Sequence, residues 1–255
     1  MRPRAFSALM RSLALLALSA TLSTSAPAAG FDGDALAKDE PSRVKTARKA
    51  AHARLDDVLA KKGLSFGDPI FIRAFKEEAE LELWMEGDSG KFRLLKKYAI
   101  CAASGGLGPK ERVGDEQVPE GFYTVTAGAM NPASSYHLSF NIGYPNALDK
   151  KLGRTGSLIM IHGDCVSLGC LAMTDEGIEE IYSLADAAHR AGQRAFSVHV
   201  FPFRMTSKKL KAHDASPWLE FWKNLKVGYD LFQKDEVPPK VSVEKKRYAF
   251  ESAVD

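Results

Sequence analysis

The spacing of apolar positions changes several times along the chain, and each change predicts an element. Val44, Ala47, Ala51, Leu55, Val58 and Leu59 recur at helical spacing up to Gly63, the one-sided stripe of an amphipathic helix. Beyond it, "PIFIRAFK", "AELELWME" and "KFRLLKKYAI" alternate or are rich in β-formers, and "EGDSGK" (Glu86 to Lys91) reads as a hairpin turn between the last two. The glutamates and alanine of Lys76 to Glu80 would equally suit the start of a helix. "GFYTVTAG", "SYHLSFNIG" and "SLIMIHG" predict three further strands, separated by the long loops Ala103 to Gly121 and "YPNALDKKLGRTG". Helical spacing returns after Thr174, which can cap. Asp175 and Glu176 suit a positive first turn, Ile178, Ile181, Tyr182 and Ala185 form the apolar face, and Gly192 ends it. "AFSVHVFPF" predicts a last strand and "SPWLEFWKNLKVGYDLFQ" an aromatic amphipathic helix. The charged, proline-marked tail from Val237 predicts loosely ordered chain. Strands clustered ahead of a helix predict a β-rich α+β domain over about residues 66–205, with the flanking helices as covers.

The first 28 residues do not belong to that pattern. Arg2, Arg4 and Arg11 precede "SLALLALSATL", and Ala26-Pro27-Ala28 offers a small-residue exit, so residues 1–28 read as a secretory signal peptide. The apolar stretch is short for a bilayer span, and no later segment reaches ~18 continuous apolar residues, so no transmembrane anchor is expected after cleavage. Residues 29–65 then form a polar linker and the first helix, and residues 206–255 a C-terminal helix and tail. Signal removal also changes the charge. Three of the 35 basic residues lie in that segment and none of the 32 acidic ones does, which leaves 32 against 32. A nucleic-acid partner thereby loses its electrostatic support.

Export frames the three cysteines, Cys101, Cys165 and Cys170. An oxidising compartment favours disulfides, yet three cysteines leave at least one unpaired in a monomer. Two of them fall in "IHGDCVSLGC" (Ile161 to Cys170), which admits three chemistries. A zinc site could use His162, Asp164, Cys165 and Cys170, but all four crowd into nine residues with no second Cys/His knuckle, so no metal is expected. A serine nucleophile at Ser167 would want Gly-x-Ser-x-Gly, and position 165 is cysteine. The glycine-bearing "SGGLGPK" likewise lacks the spacing of a phosphate-binding loop. The third chemistry is a cysteine nucleophile. His162 ends an apolar strand, a short turn would return Cys170 beside it, and the imidazole would share the thiol proton and depress its pKa. Gly169 permits close backbone approach, and the N–H groups of Gly169 and Cys170 could bind a developing oxyanion. On composition alone, an inert structural turn fits about as well.

"IHGDCVSLGCLAM" resembles the active-site motif of the L,D-transpeptidases with a YkuD-type catalytic domain, in its YafK-like branch. That branch reads His-Gly, three residues, then Ser-x-Gly-Cys, and His162, Gly163, Ser167, Gly169 and Cys170 occupy that register. "VPEGFY" (Val118 to Tyr123) and Tyr136 to Gly156 resemble the same branch, so the likeness covers roughly residues 66–205. One departure is Leu168, where the wider family carries histidine. This leaves His162 as the sole base, its ring oriented by Ser167 or by a backbone carbonyl.

The resemblance implies a YkuD-type fold and a periplasmic enzyme of peptidoglycan stem peptides that needs no cofactor. Its cysteine attacks the bond between a meso-diamino acid and a D-amino acid, and an amine or water resolves the thioester. The same fold also serves as an amidase releasing wall-attached outer-membrane protein or D-amino-acid ends. A non-catalytic wall-binding module is the alternative of another class. Arg154 is a candidate partner for a substrate carboxylate, and Tyr136, His137 and Asn141 are candidate contacts on the preceding strand. Strand alternation would set Tyr136 and Leu138 against His137, Ser139 and Asn141. Cys165 would be structural, or paired with Cys101, or paired with Cys170 in an inactive form.

Overall fold

The computed structural model describes residues 41–254; the expected signal segment and the linker through residue 40 lie outside the described residues. Helix α1 (Ser42–Lys62) buries Val44, Ala47, Ala51, Leu55 and Leu59 and ends at Gly63, whose φ of 63° lets its N–H close onto Ala60 O. Strands β1 (Ile70–Phe75), β2 (Glu80–Glu86) and β3 (Phe92–Ala99) form a meander. Lys76 to Ala79 is a turn and not the helix its composition would suit, because Lys76 and Glu77 N–H groups close onto Phe201 and Pro202 carbonyls. The short β4 (Ala102–Ala103) follows, then β5 (Gly121–Thr126), β6 (Met130–Asn131), β7 (Ser139–Asn141), α2 (Ala147–Lys151), β8 (Met160–His162) and β9 (Leu171–Ala172). Helix α3 (Asp175–Arg190) starts at Thr174, whose side chain accepts the Gly177 N–H as predicted. The chain closes with β10 (Ala195–Phe201), α4 (Ser207–Ala212), α5 (Leu219–Asp235), β11 (Lys240–Glu244) and β12 (Arg247–Glu251).

The strands make two five-stranded mixed sheets, in the orders β3-β2-β1-β10-β5 and β4-β9-β8-β7-β6, with β11-β12 as a separate hairpin. The β-rich α+β class read from the sequence is the class observed. In the first sheet β1 is buried on both faces, which explains its nearly continuous apolar run. Ile70, Ile72 and Ala74 join the core under α1 and α3, while Phe71 and Phe75 join the layer under α5. The one charge in that run, Arg73, is neutralised by its cross-strand neighbour Glu82 at 2.7 Å and lies over the rings of Trp84 and Phe232.

The C-terminal segment differs from the loose tail read from its composition. Tyr248 packs into the core with Trp222, Leu225 and Phe122, and Asn224 bonds both the N–H and the carbonyl of Tyr248. Every second residue of the hairpin is apolar, so its period of two carries the strand signal that the lysines obscure. None of the helices among the described residues is long and apolar enough to cross a membrane.

Candidate active site

The second sheet carries the site. Phe140, Ile161 and Leu171 point into the core, so Ser139, His162 and Ala172, one residue away on each strand, share the opposite face. Parallel pairing of β8 with β9 puts Ile161 beside Leu171 and His162 beside Ala172, which brings Cys170 to the edge of the same face. Cys170, His162, Tyr136, Ser139, Met160, Leu158 and Asn131 line a cavity of about 270 Å³. A second groove, of about 310 Å³, shares Leu158 and is bordered by Lys110, Val113, Leu168 and Gly169. Val113, Leu158 and Leu168 are all more than two-thirds exposed and give that groove an apolar rim.

His162 is buried, and its Nδ1 lies 2.6 Å from the carbonyl of Gly163. A carbonyl only accepts, so Nδ1 carries the proton and the lone pair of Nε2 is left free. The backbone carbonyl, rather than Ser167, therefore orients the ring. Gly163 is closely surrounded: a Cβ would meet Asp175 Oδ1 at 2.6 Å and His137 Cβ and Ile178 at 3.0 Å. Tyr136 tilts over the imidazole with ring centres 4.9 Å apart.

Cys170 is the free cysteine among the described residues, half-buried. Its sulfur accepts the Met160 N–H at 3.3 Å and donates to Leu158 O at 3.7 Å; no hydrogen bond joins it to His162 in this resting arrangement. Burial pushes the thiol above its ordinary range, and the Met160 N–H and the Lys110 ammonium pull it down without overcoming that. This reverses the depressed pKa expected from the sequence. The reason is that the sulfur faces a carbonyl and an amide in a partly dry site and not a cation in contact.

Ser167 closes the turn: its hydroxyl accepts the Cys170 N–H at 3.0 Å and donates to the Cys170 carbonyl at 2.7 Å. Gly169, at φ 87°, gives its N–H to Ser104 Oγ at 2.6 Å. Both amides expected to face an oxyanion are thus engaged, that of Cys170 within the turn and that of Gly169 by Ser104 from a separate loop, and Ser167 holds the backbone of Cys170 and not the histidine. Ser104 was not legible as a site residue. It lies 65 positions from Gly169, in a loop anchored by Lys76, which donates to Gly108 O, Val118 O and Glu120.

Three further residues expected to contact substrate lie outside the lining of this cavity. Arg154 is buried and ion-paired to Asp149 at 2.9 Å, with its guanidinium over Phe221, so it faces no cleft. His137 adopts φ 61° and meets Glu179 at 3.1 Å, while Arg43 of α1 donates to the His137 and Ser134 carbonyls. Asn141 accepts the Gly143 N–H through its side chain at 2.9 Å. The alternation argument failed because residues 134–138 turn rather than extend, so Tyr136 and Ser139 reach the same cavity. Cys165 is disulfide-bonded to Cys101, which leaves it unable to act as a thiolate ligand and leaves Cys170 reduced.

An α+β domain that presents a cysteine and a histidine in one cleft at a mixed sheet is the class defined by this geometry. The L,D-transpeptidase catalytic domain, YkuD, matches residues 71–200. The chain is also 47% identical over 182 residues to Putative L,D-transpeptidase YafK of Escherichia coli (strain K12), covering 71% of this chain and 74% of that one. The counterpart in Escherichia coli O157:H7 matches to the same extent. The protein belongs to the YkuD L,D-transpeptidase family. Among solved structures it is similar to the helical cell shape determining protein Pgp2 (K307A mutant) of Campylobacter jejuni, at 22% identity over 73% of this chain and 66% of that chain, TM-score 0.44. It is also similar to Bd1075 of Bdellovibrio bacteriovorus, at 17% identity over 72% and 84%, TM-score 0.38.

Proposed function

We propose that the protein is an exported, periplasmic cysteine acyltransferase acting on peptidoglycan stem peptides, with residues 1–28 removed as a signal and the catalytic unit spanning about residues 66–205. The observation that carries this is the shared cavity of Cys170 and His162, with the His162 tautomer set by Gly163 O. His162 Nε2 takes the thiol proton as Cys170 rotates off Leu158 O, which the raised thiol pKa makes necessary. Sγ adds to the carbonyl carbon between the meso-diamino acid and the D-amino acid. The C–N bond then breaks, and the departing amine takes the proton back from His162. The thioester is resolved by an acceptor amine that loses its proton to the same nitrogen. Tyr136 contributes the phenol nearest His162 on the cavity wall. Arg154, His137 and Asn141 are given no role in this reading, since none of them lines the cavity that holds Cys170 and His162.

The test incubates purified protein with tetrapeptide muropeptides, with and without added D-amino acid, and reads products by mass. Cross-linked dimers or exchanged D-amino-acid ends, absent in Cys170→Ala, are expected. Shortened peptides alone, indifferent to added amine, would make the protein an amidase, with wall-attached outer-membrane protein among its substrates. No product at all, with peptide still bound, would reduce it to a binding module.

A further inference from the structure

Asn131 pairs with Ser139 and Ser139 with His162 across β6, β7 and β8, so three polar side chains stand in one row on the face that carries Cys170. Two of them are partnered. Asn131 accepts the Ala133 N–H at 3.2 Å, and His162 is held by Gly163 O. Ser139 is 1% exposed, and its Oγ has no hydrogen-bond partner among the described residues. Native interiors seldom keep a buried hydroxyl in that condition, because its desolvation is uncompensated. Alanine would fill the same place on the strand. A partner that enters the cavity with the substrate accounts for the hydroxyl.

We infer that Ser139 is the residue that binds the amine in this reaction, its Oγ accepting an N–H from the leaving D-amino acid in the first step and from the acceptor in the second. The inference rests on the acyl-transfer reading above. In the first step the Sγ–C bond forms, the C–N bond breaks and the nitrogen takes the proton from His162 Nε2. In the second, a new C–N bond forms, the S–C bond breaks, and the acceptor's proton passes to Nε2 and on to the thiolate. Both nitrogens must therefore lie beside Nε2. Nδ1 is engaged by Gly163, so that place is in the cavity, where Ser139 is the cross-strand neighbour of His162. A hydroxyl accepting from the amine there turns the nitrogen lone pair toward the acyl carbon. Water resolving the thioester would bind in the same way.

The experiment compares wild type with Ser139→Ala in three measurements: thermal midpoint, alkylation rate of Cys170 by iodoacetamide across pH, and exchange of D-amino-acid ends on tetrapeptide muropeptides. Alkylation involves no amine, so it reports the cysteine–histidine pair alone. The midpoint is expected to hold or rise, since an unpartnered hydroxyl is removed. The alkylation profile should stay within about twofold, while kcat for exchange falls at least about tenfold and KM for the free D-amino acid rises. Exchange at wild-type kcat and KM overturns the inference. So does a variant that melts lower and alkylates more slowly, which would make Ser139 structural. If wild-type Cys170 alkylates but wild type turns over no muropeptide, the acyl-transfer reading falls and the inference with it.

Discussion

Replacing Arg154 with alanine separates a structural guanidinium from a substrate-binding one. The Arg154 and Asp149 side chains are 6% and 0% exposed and meet at 2.9 Å. Asp149 also accepts the Asn146 N–H at 3.0 Å and the Tyr123 hydroxyl at 3.3 Å, closing the first turn of α2. Removing one member of a buried pair costs ~3–5 kcal/mol, because the other charge is left uncompensated. The two remaining donors and the helix N-terminus keep this case near ~3 kcal/mol. At roughly 2–4 °C per kcal/mol for a folded region of this size, the midpoint should fall by about 6–12 °C. Burial already holds the Asp149 carboxyl above its ordinary range with Arg154 present. Without Arg154 it rises further, so the folded variant binds a proton that the unfolded chain has released. A group raised in the folded state contributes stability below its unfolded pKa and loses it as pH climbs through the folded value. The gap between variant and wild type should therefore widen from about pH 4 toward neutrality. Thermal unfolding followed by circular dichroism at several pH values measures this, with muropeptide kinetics run below the midpoint. An unchanged midpoint with a raised KM would refute the assignment and return Arg154 to the cleft.

Cys170→Ala should abolish turnover while leaving the unfolding curve intact, and His162→Ala should lower kcat/KM by roughly a thousandfold or more, read on muropeptides. Ser167→Ala should cost less than either, because its hydroxyl bonds only the backbone of Cys170. Alkylation of resting Cys170 should follow a pH profile displaced to the alkaline side of a free cysteine, since burial disfavours the thiolate; a profile displaced to the acid side would mean a preformed ion pair. Cys101→Ser with Cys165→Ser should lower stability by about 4 kcal/mol, the closure entropy of the 64-residue span, and a stability unchanged by the double substitution or by reductant would contradict it.

The long elements were legible because their apolar period persists: α1, α3 and α5 each repeat over several turns, and β1 to β3 over whole strands. The strands that build the site are two or three residues long, too short to show any period, and "SYHLSFNIG" shrinks to Ser139–Asn141 for that reason. Local spacing made Cys170 and His162 candidates, and the resemblance of "IHGDCVSLGCLAM" to a family motif singled them out. Asn131 and Ser139 reach the cleft only through the register of neighbouring strands, and Ser104 reaches Gly169 only from a distant loop, which local spacing does not encode. Arg154 misled for a related reason: its charge is visible in the sequence, but its burial against Asp149 and the ring of Phe221 is not.

The group that orients the imidazole belongs to the main chain. Trimming Cys170 or His162 to alanine leaves the Gly163 carbonyl in place, so a third group beside them goes unreported. The third is open to mutation only indirectly, through the space that Gly163 leaves against Asp175 and Ile178, where an added methyl would shift the peptide plane and the proton position with it. The tautomer of His162 therefore depends on a missing side chain, so substitutions that crowd Gly163 from α3 should lower turnover without altering Cys170 or His162 themselves.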